Sequence, residues 1–165
     1  MSATLALLWV ASSAAQASNT VELSLEGPPA GFGFGVVAGD PSGLAWALRG
    51  GGATMVQGAL GYSAVHGSLH VNVDLIMELA RLHSDEAPNL SFPLYVGVGG
   101  RVRIGDYGRY DNDDPGIGVR IPCGIQLVPA TVPLDLYLEI APVVRLFPET
   151  GAGVDAGVGI RLYPF

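Results

Sequence analysis

Three residues near the middle of the chain have the side chains of a nucleophilic enzyme. A single glycine separates His66 from Ser68, and Glu78 follows further along the chain. A serine acts as a nucleophile only when a base lies within hydrogen-bond reach and a third group orients that base. On an extended strand residues 66 and 68 project from one face, but Glu78 would lie about one strand length away. The pattern permits a serine esterase, and the alternative is a set of turn residues at the rim of a sheet.

Two further groups of residues have side chains that bind metal ions. Asp111–Asp114 begins like a calcium loop, which needs a glycine at its sixth place and a distal glutamate. Gly116 occupies the sixth place, but no glutamate follows at the distal position. A solvated loop is therefore the expected structure there. The spacing and cysteine partners of a zinc site are also lacking, and we expect no cofactor at the three histidines, His66, His70 and His83.

The charge composition restricts the partners that the chain can have. The sequence has 8 basic residues, all of them arginine, against 15 acidic ones, and its formal net charge is -7. A nucleic-acid surface needs clustered cations and a phosphate loop needs a lysine, so neither is expected. Only 14% of the residues are charged, whereas a typical soluble domain has about 25%. This composition favours contact with lipid.

Residues 1–17 have the pattern of a secretory signal peptide. A short apolar segment ends in Ala15-Gln16-Ala17, the small-x-small pattern that signal peptidase accepts, and we expect cleavage after Ala17. No Lys or Arg precedes the apolar segment, so its only positive charge is the terminal amine. The alternative is a buried N-terminal helix. Residues 18–29 are then predicted to form a polar lead-in on the periplasmic side.

From residue 30 to residue 165 the side chains alternate with a period of two, which predicts β-strands. The last strand would have an unpaired edge unless the sheet curls round to meet it. No apolar run after the first twenty residues reaches the roughly 20 residues of a spanning helix, so a chain of this kind crosses lipid only as a closed barrel. Residues 76–82 have a helical turn as an alternative. The eight candidate strands are 30–39, 44–49, 53–63, 68–79, 90–106, 116–128, 134–147 and 155–162.

Residue size indicates which face of such a barrel points outward. The polar face is largely glycine with isolated charges, whereas the other face carries Phe, Trp, Leu, Ile and Val, with Cys123 among them. Glycine weakens a strand surface that faces water, but it relieves crowding inside a narrow barrel. We therefore expect the small face inside and the large apolar face against lipid.

This orientation places charged side chains inside the barrel. Buried charges must pair to offset the cost of desolvation, and we expect Arg120 and Glu139, on neighbouring strands, to be partners. The network could be a plug of salt bridges or a path for protons or ions, and the narrow lumen favours the plug. The predicted network comprises Asp74, Arg101, Arg103, Arg120, Asp135, Glu139, Asp155 and Arg161.

The chain resembles the small eight-stranded outer-membrane barrels of Gram-negative bacteria, the OmpA, OmpX and OmpW type, and especially those that consist of one short-looped barrel. Family assembly signals are similar to polar-x-Gly-x-x-apolar-x-apolar before the chain end, and Pro164 departs from that pattern. The matching residues are Asp155, Gly157, Ile160, Leu162 and Phe165. The other segments that carry the resemblance are Gly31–Gly35, Tyr95–Arg101, Gly118–Gly124 and Leu138–Pro142.

The resemblance implies an all-β, closed, eight-stranded, antiparallel up-and-down transmembrane barrel in the cell outer membrane. Its partners would be membrane lipid, lipopolysaccharide and the barrel assembly machinery, and it would be a monomer with a structural or interaction role and no catalysis. Two alternatives stay open. His66, Ser68 and Glu78 resemble the His-x-Ser pair and nearby carboxylate of some lipid A deacylases of this architecture, and would take those roles here. A soluble lipocalin-like barrel would instead line a ligand cavity with the apolar face.

Overall fold

The structure, a computed structural model, describes residues 21–22, 30–105 and 115–164. Within these ranges the chain is all β and its strands belong to one antiparallel sheet, as predicted. The same residues include no helix that is long and apolar enough to cross a membrane. The proposed signal peptide, most of the lead-in, the loop at Asp111–Asp114 and Phe165 lie outside the described residues.

The described residues form ten strands, of lengths from two to eighteen residues. They are β1 (Val21–Glu22), β2 (Gly31–Gly39), β3 (Ser42–Arg49), β4 (Thr54–Ser63), β5 (Ser68–Ser84), β6 (Ala87–Ile104), β7 (Gly116–Arg120), β8 (Cys123–Pro129), β9 (Leu134–Phe147) and β10 (Gly151–Leu162).

The strands close into a ring of eight members. Each of β2 to β6 pairs with the next strand in the chain, and β10 pairs with both β9 and β2, so the last strand joins the first member of the ring. Together, β7 and β8 make one member, because they keep the same register against β6 and β9. β1 lies outside the ring, on the edge of β5.

Proline breaks the strand that the sequence predicts at 116–128. Pairing stops at Ile121 and Pro122, because proline has no N–H to donate to the ladder. The neighbouring contacts survive, since the Gly97 N–H donates to the Pro122 carbonyl at 2.7 Å and the Ile121 N–H donates to the Pro142 carbonyl at 2.9 Å. The interruption therefore divides the strand without opening the ring.

The suggested helical turn at residues 76–82 is wrong. β5 continues to Ser84 and pairs with β6 along this length, with a bulge between Glu78 and Ala80. The connection between β5 and β6 is accordingly a turn at residues 85–86, shorter than the gap of residues 80–89 between the predicted strands. The local sequence allows either conformation, and the hydrogen bonds to β6 decide for the strand.

The ring has two distinct ends. The terminus end carries Ala30 and Tyr163, and the opposite end, here the loop end, carries the turns at Asp40–Pro41, 64–67 and 148–150. Residues that pair across successive strands do not stay at one level of the ring. The series begins at the loop end of β2 and reaches the terminus end at β4, so the strands are strongly tilted relative to the axis of the ring, as closure requires. The paired residues in this series are Gly39, Gly157, Glu139, Gly124, Tyr95, Glu78 and Ala53.

The ring is polar inside and apolar outside, which is the orientation predicted from residue size. Leu138 is 55% exposed and Phe34 is 52% exposed on the outer face. Arg120 and Glu139, in contrast, are 3% and 8% exposed in the interior. The alternating strands thus direct their large hydrophobic side chains away from the centre of the ring.

The closing seam between β2 and β10 requires a glycine. Gly35 pairs with Arg161 across this seam. A Cβ at residue 35 would lie 2.8 Å from the Arg161 Cα and closer still to the Ile160 carbonyl oxygen. Because these are backbone atoms, they cannot move away without separating the two strands.

We expect Gly35→Ala to destabilise the ring by about 1–3 kcal/mol, through overpacking at the seam. Gly100→Ala is the matched control, since the nearest atom to its Cβ would be the Gly118 carbonyl oxygen at 3.9 Å. The free energy of unfolding in urea, followed by far-UV circular dichroism, measures both. Equal stability of the two variants would contradict the role given to Gly35.

Candidate functional site: the interior charge network

The interior of the ring holds most of the charged side chains that the structure describes. Among the described arginines only Arg145 is not buried. The strands position these groups through their alternation, since every second side chain points inward. All eight residues of the predicted network lie buried inside the ring: Asp74, Arg101, Arg103, Arg120, Asp135, Glu139, Asp155 and Arg161.

A first group of charges lies toward the loop end and is centred on Asp155. Its Oδ1 accepts hydrogen bonds from Arg101 Nη1 and, at 3.1 Å, from Arg103 Nη2. Arg103 Nη2 also donates to Asp40 Oδ2 at 2.9 Å. Asp40 belongs to the turn between β2 and β3, so this bond ties that turn to the wall of the ring.

A second group lies in the middle of the interior and is centred on Arg120. Its Nη2 donates to Glu139 Oε1, which is the pair expected from the neighbouring strands, and its Nε lies 3.4 Å from Asp74 Oδ1. Glu139 Oε2 accepts from Gln57 Nε2 at 2.6 Å and from the Tyr95 hydroxyl at 2.9 Å. One guanidinium therefore serves two carboxylates from two different strands.

A third group lies toward the terminus end and is centred on Asp135. Arg161 donates to both of its oxygens, at 2.9 and 3.0 Å, and Arg49 and the Tyr163 hydroxyl donate at 2.9 and 2.6 Å. The Arg161 guanidinium also covers the Tyr137 ring, 4.2 Å from its centroid. Burial raises the pKa of Tyr163, beyond the last strand, which keeps its hydroxyl a donor to Asp135.

Gln57 joins the second group to the third. Its amide nitrogen donates to Glu139, and its Oε1 accepts from Arg161 Nη1 at 2.9 Å. Hydrogen-bonded side chains thus run from the middle of the interior to the terminus end, and Arg120 and Arg161 are two of the links in this series. An arginine keeps its proton in proteins, so these two links do not relay protons. The arrangement is suited to filling and fixing the lumen.

The prediction from sequence missed part of the network. Gln57, His70 and Asn72 are inward-facing neighbours that alternation places inside, although their type gave no reason to include them. Asp40 and Tyr163 lie in a turn and beyond the last strand, where alternation does not apply. Closure of the ring places Asp40 against Arg103 and Tyr163 against Asp135.

The residues of the esterase alternative do not come together. His66 Nδ1 lies 3.1 Å from Ser63 Oγ and 3.2 Å from Asp40 Oδ2. Ser68 Oγ has no hydrogen-bond partner among the described residues, and Glu78 binds Arg81 through two bonds of 2.8 Å. The new neighbours of His66 do not replace the missing triad, because a triad uses both ring nitrogens and here one nitrogen faces both partners.

The residues of the predicted assembly signal divide between the two faces of β10. Asp155 is buried and Gly157 shares its inward face, whereas Ile160 and Leu162 are exposed on the outer face. Cys123 is also exposed, on the outer face. The part of the chain that the structure describes contains no cluster of three or more His, Cys, Asp or Glu side chains able to hold a metal ion.

No protein-family model, curated protein or solved structure matches this chain.

We expect Arg120→Met to destabilise the protein by about 3–5 kcal/mol, because Glu139 and Asp74 would lose their guanidinium partner in a buried site. Arg145→Met is the matched control. Arg145 is partly exposed and, among the described residues, its side chain binds only the Glu149 carbonyl, at 3.0 Å, so its loss should change the stability by no more than about 0.5 kcal/mol. Urea unfolding of both variants gives the comparison, and an equally mild effect would show that the Arg120 contacts contribute little.

A further prediction concerns acid stability and Asp40. Burial raises the pKa of Asp40, but a hydrogen bond from Ser63 and the charge of Arg103 outweigh it and hold that pKa below its ordinary value of 3.8. A carboxyl with a lowered folded-state pKa stabilises the fold above the unfolded pKa, and this stabilisation is lost as the pH falls through the folded pKa.

We therefore expect Asp40→Asn to reduce the loss of stability on acidification from about pH 5 downward, compared with the unsubstituted protein. The measurement is the urea midpoint as a function of pH. Ser42→Ala, at the start of β3 directly after the same turn, keeps the carboxyl and serves as the control. An unchanged acid profile in Asp40→Asn would contradict the prediction.

Proposed function

We propose that this protein is a transmembrane β-barrel of the bacterial outer membrane, with a lumen closed by salt bridges and a structural or interaction role. The observation that carries the proposal is the orientation of the ring, which buries arginines and exposes leucine, isoleucine, valine and phenylalanine on its outer face. In water an outer face as apolar as this one would promote aggregation. Against acyl chains it is the favourable surface.

The strand lengths support the same function. A strand needs about 9–11 residues to cross a bilayer at a tilt; β2 has 9 and β4 has 10. A closed ring leaves no strand edge without hydrogen bonds, which is the condition for β structure in hydrocarbon. On this proposal the partners are membrane lipid, lipopolysaccharide and the assembly machinery that would read the end of β10.

The two alternative functions find less support. A lipocalin-like barrel needs an apolar lumen, and ligand cavities measure about 300–1,000 Å³. The lumen here is charged, and the cavity among its central charges has a volume of about 20 Å³. A larger cavity, of about 400 Å³, lies at the terminus end, where Arg81, Asp135 and Tyr163 are among its lining residues. An esterase needs a nucleophile, a base and an orienting group in contact, and His66, Ser68 and Glu78 do not supply such a site.

The proposal is tested by placing one charge on the outer face. Ile140 is 51% exposed near the middle of β9. An arginine at the bilayer midplane costs about 2–4 kcal/mol on the lipid face of a barrel, so Ile140→Arg should impair insertion into lipid vesicles. Glu149→Arg is the matched control, because residue 149 lies in the exposed turn before β10.

The readouts are the recovery of protein in floated vesicles and the shift in gel mobility between unheated and boiled samples. We expect the unsubstituted protein and Glu149→Arg to float and to shift, and Ile140→Arg to do both poorly. If the Ile140→Arg variant is folded and remains in buffer without detergent, as a soluble ring would allow, the membrane proposal fails.

A further inference from the structure

The cavity of about 400 Å³ at the terminus end is formed by parts of the sheet that extend beyond β4. β5 continues from Met77, which pairs with the first residue of β4, as far as Ser84, and β6 runs alongside it. This extended hairpin and the β8–β9 turn supply the walls, and Tyr163 also lines the cavity. Binding sites for small molecules measure about 300–1,000 Å³, so this space has the size of a ligand site.

Most of the residues that line the cavity are apolar, and prolines restrain the walls that they form. Pro129 ends β8, Pro133 ends the connection to β9, and Pro88 lies at the start of β6. Because proline fixes the backbone angle φ, these walls are formed before a ligand binds and little order has to be gained on binding. Val132 is 45% exposed, so an apolar ligand that covers it is favoured. Further apolar lining residues are Leu90, Val128 and Leu134.

Arg81 brings a cationic group to this apolar lining. It is 7% exposed and binds Glu78 through Nε and Nη2, each at 2.8 Å. The two bonds fix the plane of the guanidinium, and Nη1 has no hydrogen bond to a described residue. Arg81 lines the cavity, whereas Glu78 does not. The pair therefore presents an oriented donor to the cavity and keeps its carboxylate away from it.

The carboxylate that lines the cavity is already bound by cations. Asp135 accepts hydrogen bonds from both Arg49 and Arg161, and the Tyr163 hydroxyl donates to it as well. A cationic ligand would have to compete with two guanidinium groups for this carboxylate. The charge of Asp135 is offset by the same groups, so it does not exclude an anionic ligand from the cavity.

We propose that the cavity binds a small organic acid, whose carboxylate accepts a hydrogen bond from Arg81 Nη1 and whose apolar body packs against Val128 and the β8–β9 turn. Arginine–carboxylate hydrogen bonds are about twice as strong as those between neutral groups. A neutral apolar molecule covers the same walls but lacks this bond. A short acyl chain and an N-acylated apolar amino acid share the required chemistry. This site goes beyond the proposed structural role and needs only the folded ring.

The test titrates the refolded, ¹⁵N-labelled full-length chain in detergent micelles with sodium hexanoate or sodium N-acetylphenylalaninate, at about pH 7.5, where both acids are ionised. Amide chemical shifts of the β8–β9 turn report on the cavity. We expect saturable shifts with a dissociation constant of about 1 mM or lower for at least one acid. The acid that binds more tightly identifies the apolar body as an acyl chain or an aromatic amino acid.

The uncharged amides of the same two compounds are the matched ligands, and each should bind about tenfold more weakly than its acid. Glu78→Gln keeps Arg81 and releases its other N–H groups, so this variant should bind the acid at least as tightly as the unsubstituted protein. The double variant Glu78→Gln and Arg81→Gln removes both charges of the pair, so that no buried charge is left without its partner. It should bind the acid no more tightly than the amide.

Two tryptophan variants locate the binding. Val128→Trp fills part of the cavity and should abolish the shifts. Leu127→Trp adds a similar side chain on the opposite face of β8, where residue 127 pairs with Leu136, and should keep them. Micelle titrations do not depend on insertion into vesicles, so their result is separate from the floatation test of the membrane proposal.

Equal binding of acid and amide by the unsubstituted protein would overturn the proposal, because the cavity would then select only for apolar surface. Shifts that survive in Val128→Trp would also overturn it, since they would report partition into the micelle or another site. Absence of saturable shifts with both acids would show that the cavity binds no ligand of this class. These comparisons remain decisive if the double variant fails to fold.

Discussion

The structure depends on keeping guanidinium groups paired in a narrow space with little water. Arg161 is 1% exposed, and a charge buried to that degree is tolerated only when oxygens surround it. Asp135 and the face of Tyr137, both on the neighbouring strand β9, and Gln57, on β4, provide this environment. The ring must therefore close in one register, since a shift by one residue would turn these groups to the opposite face.

Glycine makes this arrangement sterically feasible. Several inward positions beside large interior side chains are glycines, such as Gly99 next to Asp74 and Gly124 next to Tyr95, so these side chains have room inside the ring. At Gly159 a Cβ would collide with the Tyr137 ring that lies under Arg161. The same property that weakens glycine in an ordinary strand surface here permits a densely filled interior.

The interior and the outer surface together explain why the proposed role is structural. A continuous pore needs hydrated space, but hydrogen bonds through Gln57 join the second group of charges to the third, and the cavity bordered by the first and second groups has a volume of about 20 Å³. Fixed arginines in that series oppose the passage of protons and cations. Asn72 Oδ1 and Asp155 Oδ2 are buried oxygens without a hydrogen bond, and both residues line the cavity of about 20 Å³.

The sequence by itself determined the strand content, the number of ring members and the side of the strands that faces inward. It could do so because the two-residue period and the contrast between glycine and large hydrophobic residues are local properties of each strand. It also placed the eight charged residues of the predicted network on the inward face, since each alternates with the large apolar residues of its own strand, but it left out Arg49, which is buried and donates to Asp135. The pairing of Arg120 with Glu139 was likewise accessible from the order of the strands.

Only the tertiary structure decided the extent of β5, the break at Pro122 and the identity of several partners. Residues 76–82 have no local preference strong enough to choose between helix and strand, and hydrogen bonds to β6 made the choice. Asp40 and Tyr163 meet the interior charges because a turn and a chain end fold over the lumen, which no periodicity encodes. His66 contacts Ser63, at the end of β4 three residues before it, and Asp40 of the β2–β3 turn, rather than Ser68. The conformations of the two turns set these contacts, because the two-residue period of a strand does not extend into a turn.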